Sequence, residues 1–390
     1  MRRNGNWAIW AVALLAFGFM GCAGNRDWCG GSCRCSFVCS DQGANSTAQT
    51  DCAKQPPKTA PETGPTAEQQ QPQADNAFAQ APAAGTEAES IGSPNMMGDF
   101  LRGFVSQQVG TVRISKFNGT AKFFVSIPIV VRIPEAGAGA KIAENESPRP
   151  QDRVFLTYNY YDNILPSTNG NSGFSSINLH AETLGGEMTL LNGDASLGVR
   201  VPIYQLVGPD VVSQDRLGDV SVIAKYAWIN GGPDANLFST GLMVTTPTSE
   251  TTVGLFGERI NSTIFQPFAG AVVQLGSAAF VHGFSSLAVP TDSHDATFFF
   301  NDVGVCYWLF RDSDGDWLTA VVPTVEVHAN IPLDKQGARN EPVGALESVV
   351  LTEGVQLFFG ASLLQIGVAT PVTGPRPFDV EVIAQLNIRY

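Results

Sequence analysis

Five cysteines crowd one short stretch of the chain: Cys29, Cys33, Cys35, Cys39 and Cys52. Four thiolates can close a tetrahedral metal site. The spacing C-x3-C-x-C-x3-C lacks the paired C-x2-C knuckles of zinc sites, and in an exported chain such thiols are consumed as disulfides. Further on, His282 and Ser286 alternate onto one face of a strand, a pairing that could begin a nucleophilic hydrolase. No third member follows in a matching motif. Glu326 and His328 also share a face and read as the lining of a lumen. Asp312, Asp314 and Asp316 with Gly315 hint at a calcium loop, but the glycine is misplaced and no distal glutamate closes the set. A polar hairpin turn accounts for them better. No glycine-rich phosphate loop occurs. We therefore assign no catalytic residue, cofactor or metal from the sequence.

The elements that would hold these residues follow from composition and periodicity. The 390 residues carry 23 basic and 36 acidic side chains, a net charge of −13. Nucleic acid is excluded as a partner, because phosphate binding needs a basic face. Charged residues make up only 15%, against about 25% in soluble domains, while glycine numbers 40 and phenylalanine 24. Such a chain suits an exterior facing lipid. Arg2 and Arg3, an apolar run from Trp7 to Met20 and then small residues form a secretory signal peptide over 1–22. The run is too short for a membrane-spanning helix. Phe19-Met20-Gly21-Cys22 resembles a lipoprotein box and makes Cys22 a lipidation candidate; Gly21-Cys22-Ala23 could equally serve as a small-x-small cleavage site. Residues 23–55 form the cysteine-rich arm. Residues 56–97, rich in Ala, Pro and Gln and without period, read as a disordered linker.

From Arg153 onward the pattern is period 2. In the last strand Phe378, Val380, Val382, Ala384, Leu386, Ile388 and Tyr390 share one face. Asp379, Glu381, Gln385, Asn387 and Arg389 share the other, with Ile383 off pattern. Twelve strands are expected, at about 152–162, 178–191, 194–204, 217–230, 237–248, 263–275, 278–290, 296–310, 317–331, 347–359, 361–371 and 378–390. Their connections alternate between short turns and long loops. The fold class is therefore all-β: a 12-stranded antiparallel transmembrane β-barrel over 151–390, preceded by signal peptide, cysteine-rich arm and linker. Trp228, Phe310, Trp317, Phe359 and Tyr390 are expected to form one aromatic belt, and Tyr158, Tyr160, Phe265, Phe298 and Phe378 the other. An even strand count puts both barrel ends at the short-turn, periplasmic rim, with the amino-terminal arm.

Two of these strands resemble a known family. Arg216-Leu217-Gly218-Asp219 through Lys225-Tyr226 resembles the G-L-G-D-x5-K-Y strand of the outer-membrane barrels named for the MetA pathway of phenol degradation. Gly241 to Pro247-Thr248 resembles the G-x5-P-T strand that follows it there. The closing Asn387-Ile388-Arg389-Tyr390 resembles the aromatic signal read by the barrel-assembly machinery, which would make Tyr390 an assembly signal. Ser249-Glu250 stands where many members have Gly-Asp. The resemblance implies a channel or transport barrel in the outer membrane.

Twelve strands enclose a narrow lumen. Its inward charges are expected to be Arg153, Glu187, Arg200, Asp219, Lys225, Asp302, Glu326, Asp379, Glu381 and Arg389, beside His328. Six are acidic and four basic, a mixture expected to pair across the lumen and to give little anion preference. Gln385, facing inward, is expected to tolerate arginine. The segment 98–150, with an apolar strand-like run from Phe123 to Ile133 ended by Pro134, is expected to be either a periplasmic lead-in or a plug. Three functions follow: a channel or transport barrel for small molecules, apolar or aromatic ones included; a structural envelope protein linking layers; or a barrel hydrolase. The partners expected are outer-membrane lipids, the assembly machinery and a small solute.

Overall fold

The computed structural model describes residues 94–99, 103–118, 120, 122–134, 141–170, 176–208, 213–232, 234–254, 257–312, 317–336 and 343–390. The leader, Cys22, the cysteine-rich arm and most of the linker lie outside these residues, as do residues 313–316 of the aspartate-rich stretch.

A hairpin of β1 (Gly103–Phe117) and β2 (Lys122–Pro134) precedes twelve wall strands. These are β3 (Arg153–Asp162), β4 (Asn178–Leu190), β5 (Ala195–Val207), β6 (Val220–Asn230), β7 (Leu237–Thr246) and β8 (Ile264–Gln274). They continue with β9 (Ala279–Pro290), β10 (Phe298–Tyr307), β11 (Ala320–Pro332), β12 (Ser348–Phe359), β13 (Ser362–Pro371) and β14 (Val380–Arg389). Each pairs antiparallel with its neighbours in sequence, and β14 returns to β3 with Arg389 opposite Arg153. The wall is closed, so no strand edge is left unpaired.

Alternation decides which side chains enter the barrel. In β14, Glu381, Ile383, Gln385 and Asn387 are buried, while Val382, Leu386 and Ile388 are 40–48% exposed. Leu156, Leu184, Leu197, Val222, Val305 and Val325 repeat the outward apolar choice around the wall. The inside is polar and the outside apolar, the inverse of a soluble barrel.

Connections sort onto two rims, mostly by length, though 308–319 lies with the short ones and 291–297 and 372–379 lie with the long ones. Leu191–Gly193, 231–236, 275–278 and 360–361 close one rim, and 163–177, 208–219, 247–263 and 333–347 cross the other. Asn192 (φ 59°) and Gly193 (φ 89°) adopt the left-handed backbone that so tight a reversal needs. The β10–β11 connection is longer than the sequence implies. The strands stop at Tyr307 and restart at Ala320, and Phe310–Arg311 pair with Val321 and Ala320.

Aromatic side chains mark the short-turn rim: Trp228, Phe310, Trp317 and Tyr390 are exposed, and Trp317 stacks on Phe359 at 5.5 Å. At the long-loop rim Tyr158, Tyr160 and Phe265 point outward. Phe298 and Phe378, expected beside them, instead turn inward. Phe298 stacks on Phe300 at 5.4 Å and Phe378 packs edge-on against Tyr161 at 5.1 Å. They sit where the polar lumen ends and apolar clusters close its mouth.

The hairpin stands at this same mouth. Phe104, Val105, Val131 and Ile133 are buried with Tyr161, Ile164, Leu206 and Phe378, and Gly103–Val105 pair with Val343–Ala345 in the β11–β12 loop. Asn169 fixes the return strand: its side-chain amide accepts from the Arg132 backbone N–H and donates to the Arg132 carbonyl, both at 2.9 Å. Only β2 had a visible run in the sequence. β1 hides behind Gln107, Gln108 and a bulge between Gln108 and Gly110.

Val382 lies mid-strand on the outward face, so Val382→Arg should cost about 2–4 kcal/mol near the bilayer centre. We expect the heat-modifiable, folded band in outer-membrane fractions to fall sharply for Val382→Arg and to persist for Val382→Leu. Equal yields would contradict a lipid-facing exterior.

Candidate functional site: a lumen filled by its own chain

Before the first wall strand begins, the chain passes through the barrel twice. The first pass, residues 94–99, is buried throughout. Near the short-turn rim the Asn95 side chain donates to Asn387 Oδ1 at 3.0 Å, and its carbonyl accepts from Gln365 at 2.8 Å. Higher up, the Met97 carbonyl accepts from Gln385 at 2.8 Å, while Met97 and Gly98 N–H groups donate to Glu326 at 2.9 and 3.0 Å. Asp99 then reaches Asn330, close to the long-loop rim, at 2.6 Å. The return pass starts at Lys141 beside Asp99 and descends past Asn145, which accepts a bond from Arg153. It ends with Arg149 donating to Asn230 and to the Ala235 carbonyl at the short-turn rim.

Two charge clusters hold these passes. In the lower one Glu146 lies 3.0 Å from Arg153, 2.8 Å from Arg200 and 2.8 Å from Lys225. Glu187 adds contacts of 3.0 Å to both Arg153 and Lys225. The wall therefore offers three cations and one carboxylate, and the return pass brings the second carboxylate. In the upper cluster Lys141 pairs with Asp99 and lies 2.6 Å from Asp302. Asp302 is 2.9 Å from His328, which is 3.3 Å from Glu326. Here the wall is acidic, and the two passes bring the cation Lys141 together with the carboxylate of Asp99. All these groups are nearly inaccessible to solvent, where an uncompensated charge is costly.

Shape holds the passes as firmly as charge. Gly98 has φ 75°, and a Cβ there would lie 2.6 Å from the Glu144 Cα, so the two passes touch backbone to backbone. Met97 lies against Gly354 and Gly367 on the wall, where a Cβ at either would come within 2.6 Å of its sulfur.

The inward residues read from sequence divide into three groups. Arg153, Glu187, Arg200 and Lys225 meet at Glu146; Asp302, Glu326 and His328 meet around Lys141 and Met97. Asp219, Asp379, Glu381 and Arg389 join neither. Asp379, expected inside, is half-exposed at the long-loop rim, where it accepts from the Asn163 amide at 2.7 Å. Asp219 accepts the Ser249 N–H at 2.9 Å, Glu381 faces Tyr161 across the β14–β3 ladder, and the Arg389 guanidinium lies 5.6 Å over the Phe358 ring. The charges thus pair partly with the insert and partly between nearby wall residues, rather than across an open lumen. Gln385 is fully buried and bonded to the insert, so the expected tolerance of arginine there does not hold. Asp99, Lys141 and Glu146 were missed. One signal for Glu146 was present: Arg153, Arg200 and Lys225 fall on neighbouring strands with Glu187 alone to balance them.

His282 and Ser286 both enter the barrel but not together. His282 lies 3.5 Å from Cys306 and 3.8 Å from Glu326, while Ser286 accepts from Gln266 at 2.8 Å. Asp99, Asp302 and His328 place possible metal-ligand atoms within 4.8 Å of one another. The Lys141 ammonium stands among them, so the chain itself supplies the cation. The two family-like stretches clasp each other at the long-loop rim: Thr248 Oγ1 accepts the Val220 N–H at 2.9 Å, alongside the Asp219–Ser249 bond.

No family model matches the chain, and no curated protein matches it. Among solved structures, it is similar to an outer membrane channel from Pseudomonas putida F1, with a TM-score of 0.45 and 12% identity, over 62% of this chain and 96% of that one. LpxR from Salmonella typhimurium gives 0.35 and 8% over 60% and 100% of the two chains. The β domain of the Bordetella autotransporter BrkA gives 0.37 and 11% over 61% and 99%. At these values the functional reading rests on the chain's own residues.

Removing the Glu146 charge leaves three buried cations facing Glu187 alone, a change of about 3–5 kcal/mol for a broken buried pair. We expect Glu146→Gln to leave the wall folded but to expose the 141–151 segment to protease in detergent-solubilised protein. Gly98→Val should do the same by steric conflict with Glu144. Unchanged protection in both variants would show that these contacts do not seat the insert.

Proposed function

We propose that the protein is an outer-membrane β-barrel channel or transport protein for small molecules, shut at rest by residues 94–99 and 141–151. The carrying observation is the closed twelve-stranded wall with an apolar exterior and a polar interior. An exterior of that kind needs lipid around it. The resemblance of 216–226 and 241–248 to a family of channel barrels points the same way. Both wall ends lie at the short-turn rim, which we take as periplasmic, together with the exported arm. Tyr390, exposed at that rim, suits an assembly signal read by the barrel-assembly machinery.

For the solute we favour small apolar or aromatic molecules, and the short-turn mouth supports that choice. Val272, Phe280, Val322, Phe358 and Leu363 are buried there as one apolar cluster, with Trp308 against it. Once the insert is loosened, these side chains would line that mouth with a surface compatible with a small apolar or aromatic molecule. A structural role, with the insert serving as a permanent brace, is the second reading. It is favoured by the density of ion pairs around Glu146 and Lys141.

Planar-bilayer recording separates the two. The intact protein should conduct little, well below a 16-stranded porin. Glu146→Gln combined with Lys141→Met should raise conductance several-fold while the heat-modifiable barrel persists. No current from a folded loosened barrel would favour the brace and sink the channel.

A further inference from the structure

Beyond its base, the β1–β2 hairpin pairs with no other strand among the described residues. One face carries Val112, Ile114, Lys116, Phe123 and Ile127, the other Arg113, Phe117, Lys122 and Phe124, as the register sets them. All nine are exposed, Phe117 and Phe124 to 67% and 65%. A two-stranded ribbon without a third element over it is marginal in water, and contiguous exposed apolar surface of this kind marks a partner.

Charge selects the partner. Residues 103–134 hold four basic side chains, Arg113, Lys116, Lys122 and Arg132, and no acidic one, in a chain of net charge −13. At the tip each lysine stands opposite an aromatic ring: Lys116 pairs with Phe123 and Lys122 with Phe117. The Arg113 guanidinium lies 5.4 Å from the centre of the Phe124 ring. Cations interleaved with aromatic and aliphatic side chains match an interface where phosphates lie above acyl chains. A purely apolar protein surface would strand the cations, and a purely acidic one would leave the rings in water.

We propose that the tip of this hairpin docks on an anionic, phosphate-bearing lipid surface. The strands run free for about eleven residues past the mouth, a reach of roughly 35 Å at the usual rise. From the function proposed above, this inference takes only that the barrel sits in a membrane, not that it conducts.

The full chain, reconstituted in nanodiscs of phosphatidylcholine, would be offered two kinds of vesicle, phosphatidylcholine alone or equal parts phosphatidylcholine and phosphatidylglycerol. Co-sedimentation should favour the anionic vesicles by at least about tenfold at low salt and fall as salt is added. Lys116→Glu with Lys122→Glu should lower it by at least about tenfold, and Phe117→Ser with Phe124→Ser should lower it at unchanged charge. Heat modifiability checks that each variant keeps its barrel, and the lipid and salt comparisons on the unaltered chain decide the matter if a variant does not. Equal association with both vesicles, or full retention in the lysine variant, would overturn the proposal. So would capture by a polyaspartate peptide in preference to anionic vesicles, which would indicate an acidic protein. Failure to enter nanodiscs at all would instead count against the membrane reading.

Discussion

A charge taken out of water must be met by an opposite charge or by hydrogen bonds, and the interior of this barrel is organised around that requirement. The wall is not balanced on its own. Arg153, Arg200 and Lys225 outweigh Glu187 towards the short-turn rim, whereas Asp302 and Glu326 outweigh His328 further up. The return pass has the reverse pattern, with Glu146 below and Lys141 above, while the first pass adds Asp99 beside Lys141. Wall and return pass are thus electrostatic complements in two layers, which fix both the depth and the direction of that pass.

The mouths strengthen the match. At the long-loop rim Phe104, Val131, Ile133 and Phe378 pack together, and at the short-turn rim Phe280, Phe358 and Leu363 do so. Apolar ends around a charged middle lower the local dielectric, which raises the value of a satisfied pair and the cost of an unsatisfied one. The hairpin base is one of these closures, so its position and the seating of the insert are mechanically one feature.

Legibility in the sequence divides along the same line. The wall could be read because period 2 survives in nearly every strand: two solvents of opposite polarity act on alternate residues, as Val382 and Gln385 show. Small departures came where that pressure lapses, at the mouths, where Phe298 and Phe378 turn inward, and in the extended β10–β11 hairpin at Phe310. The insert could not be read in this way. Residues 94–99 and 141–151 have no repeat, because each side chain answers a different wall neighbour: Asn95 meets Asn387, Met97 meets Gly354, and Glu146 meets three cations. Aperiodic sequence looks the same whether it is solvated or buried one contact at a time.

The order of elements along the chain imposes an order of events in biogenesis. The hairpin Gly103–Pro134 stands at the far mouth, yet both passes that carry it precede Arg153, and the seam closes only when Val380–Arg389 finds Arg153–Asp162. Threading a broad, aromatic-tipped ribbon through a finished wall of this bore would require the ribbon to unfold and every cluster on its path to open. The wall must instead wrap around a chain already laid across the membrane. The last-made strand then acts as the latch that traps the first-made one, and the insert is held by topology as well as by charge.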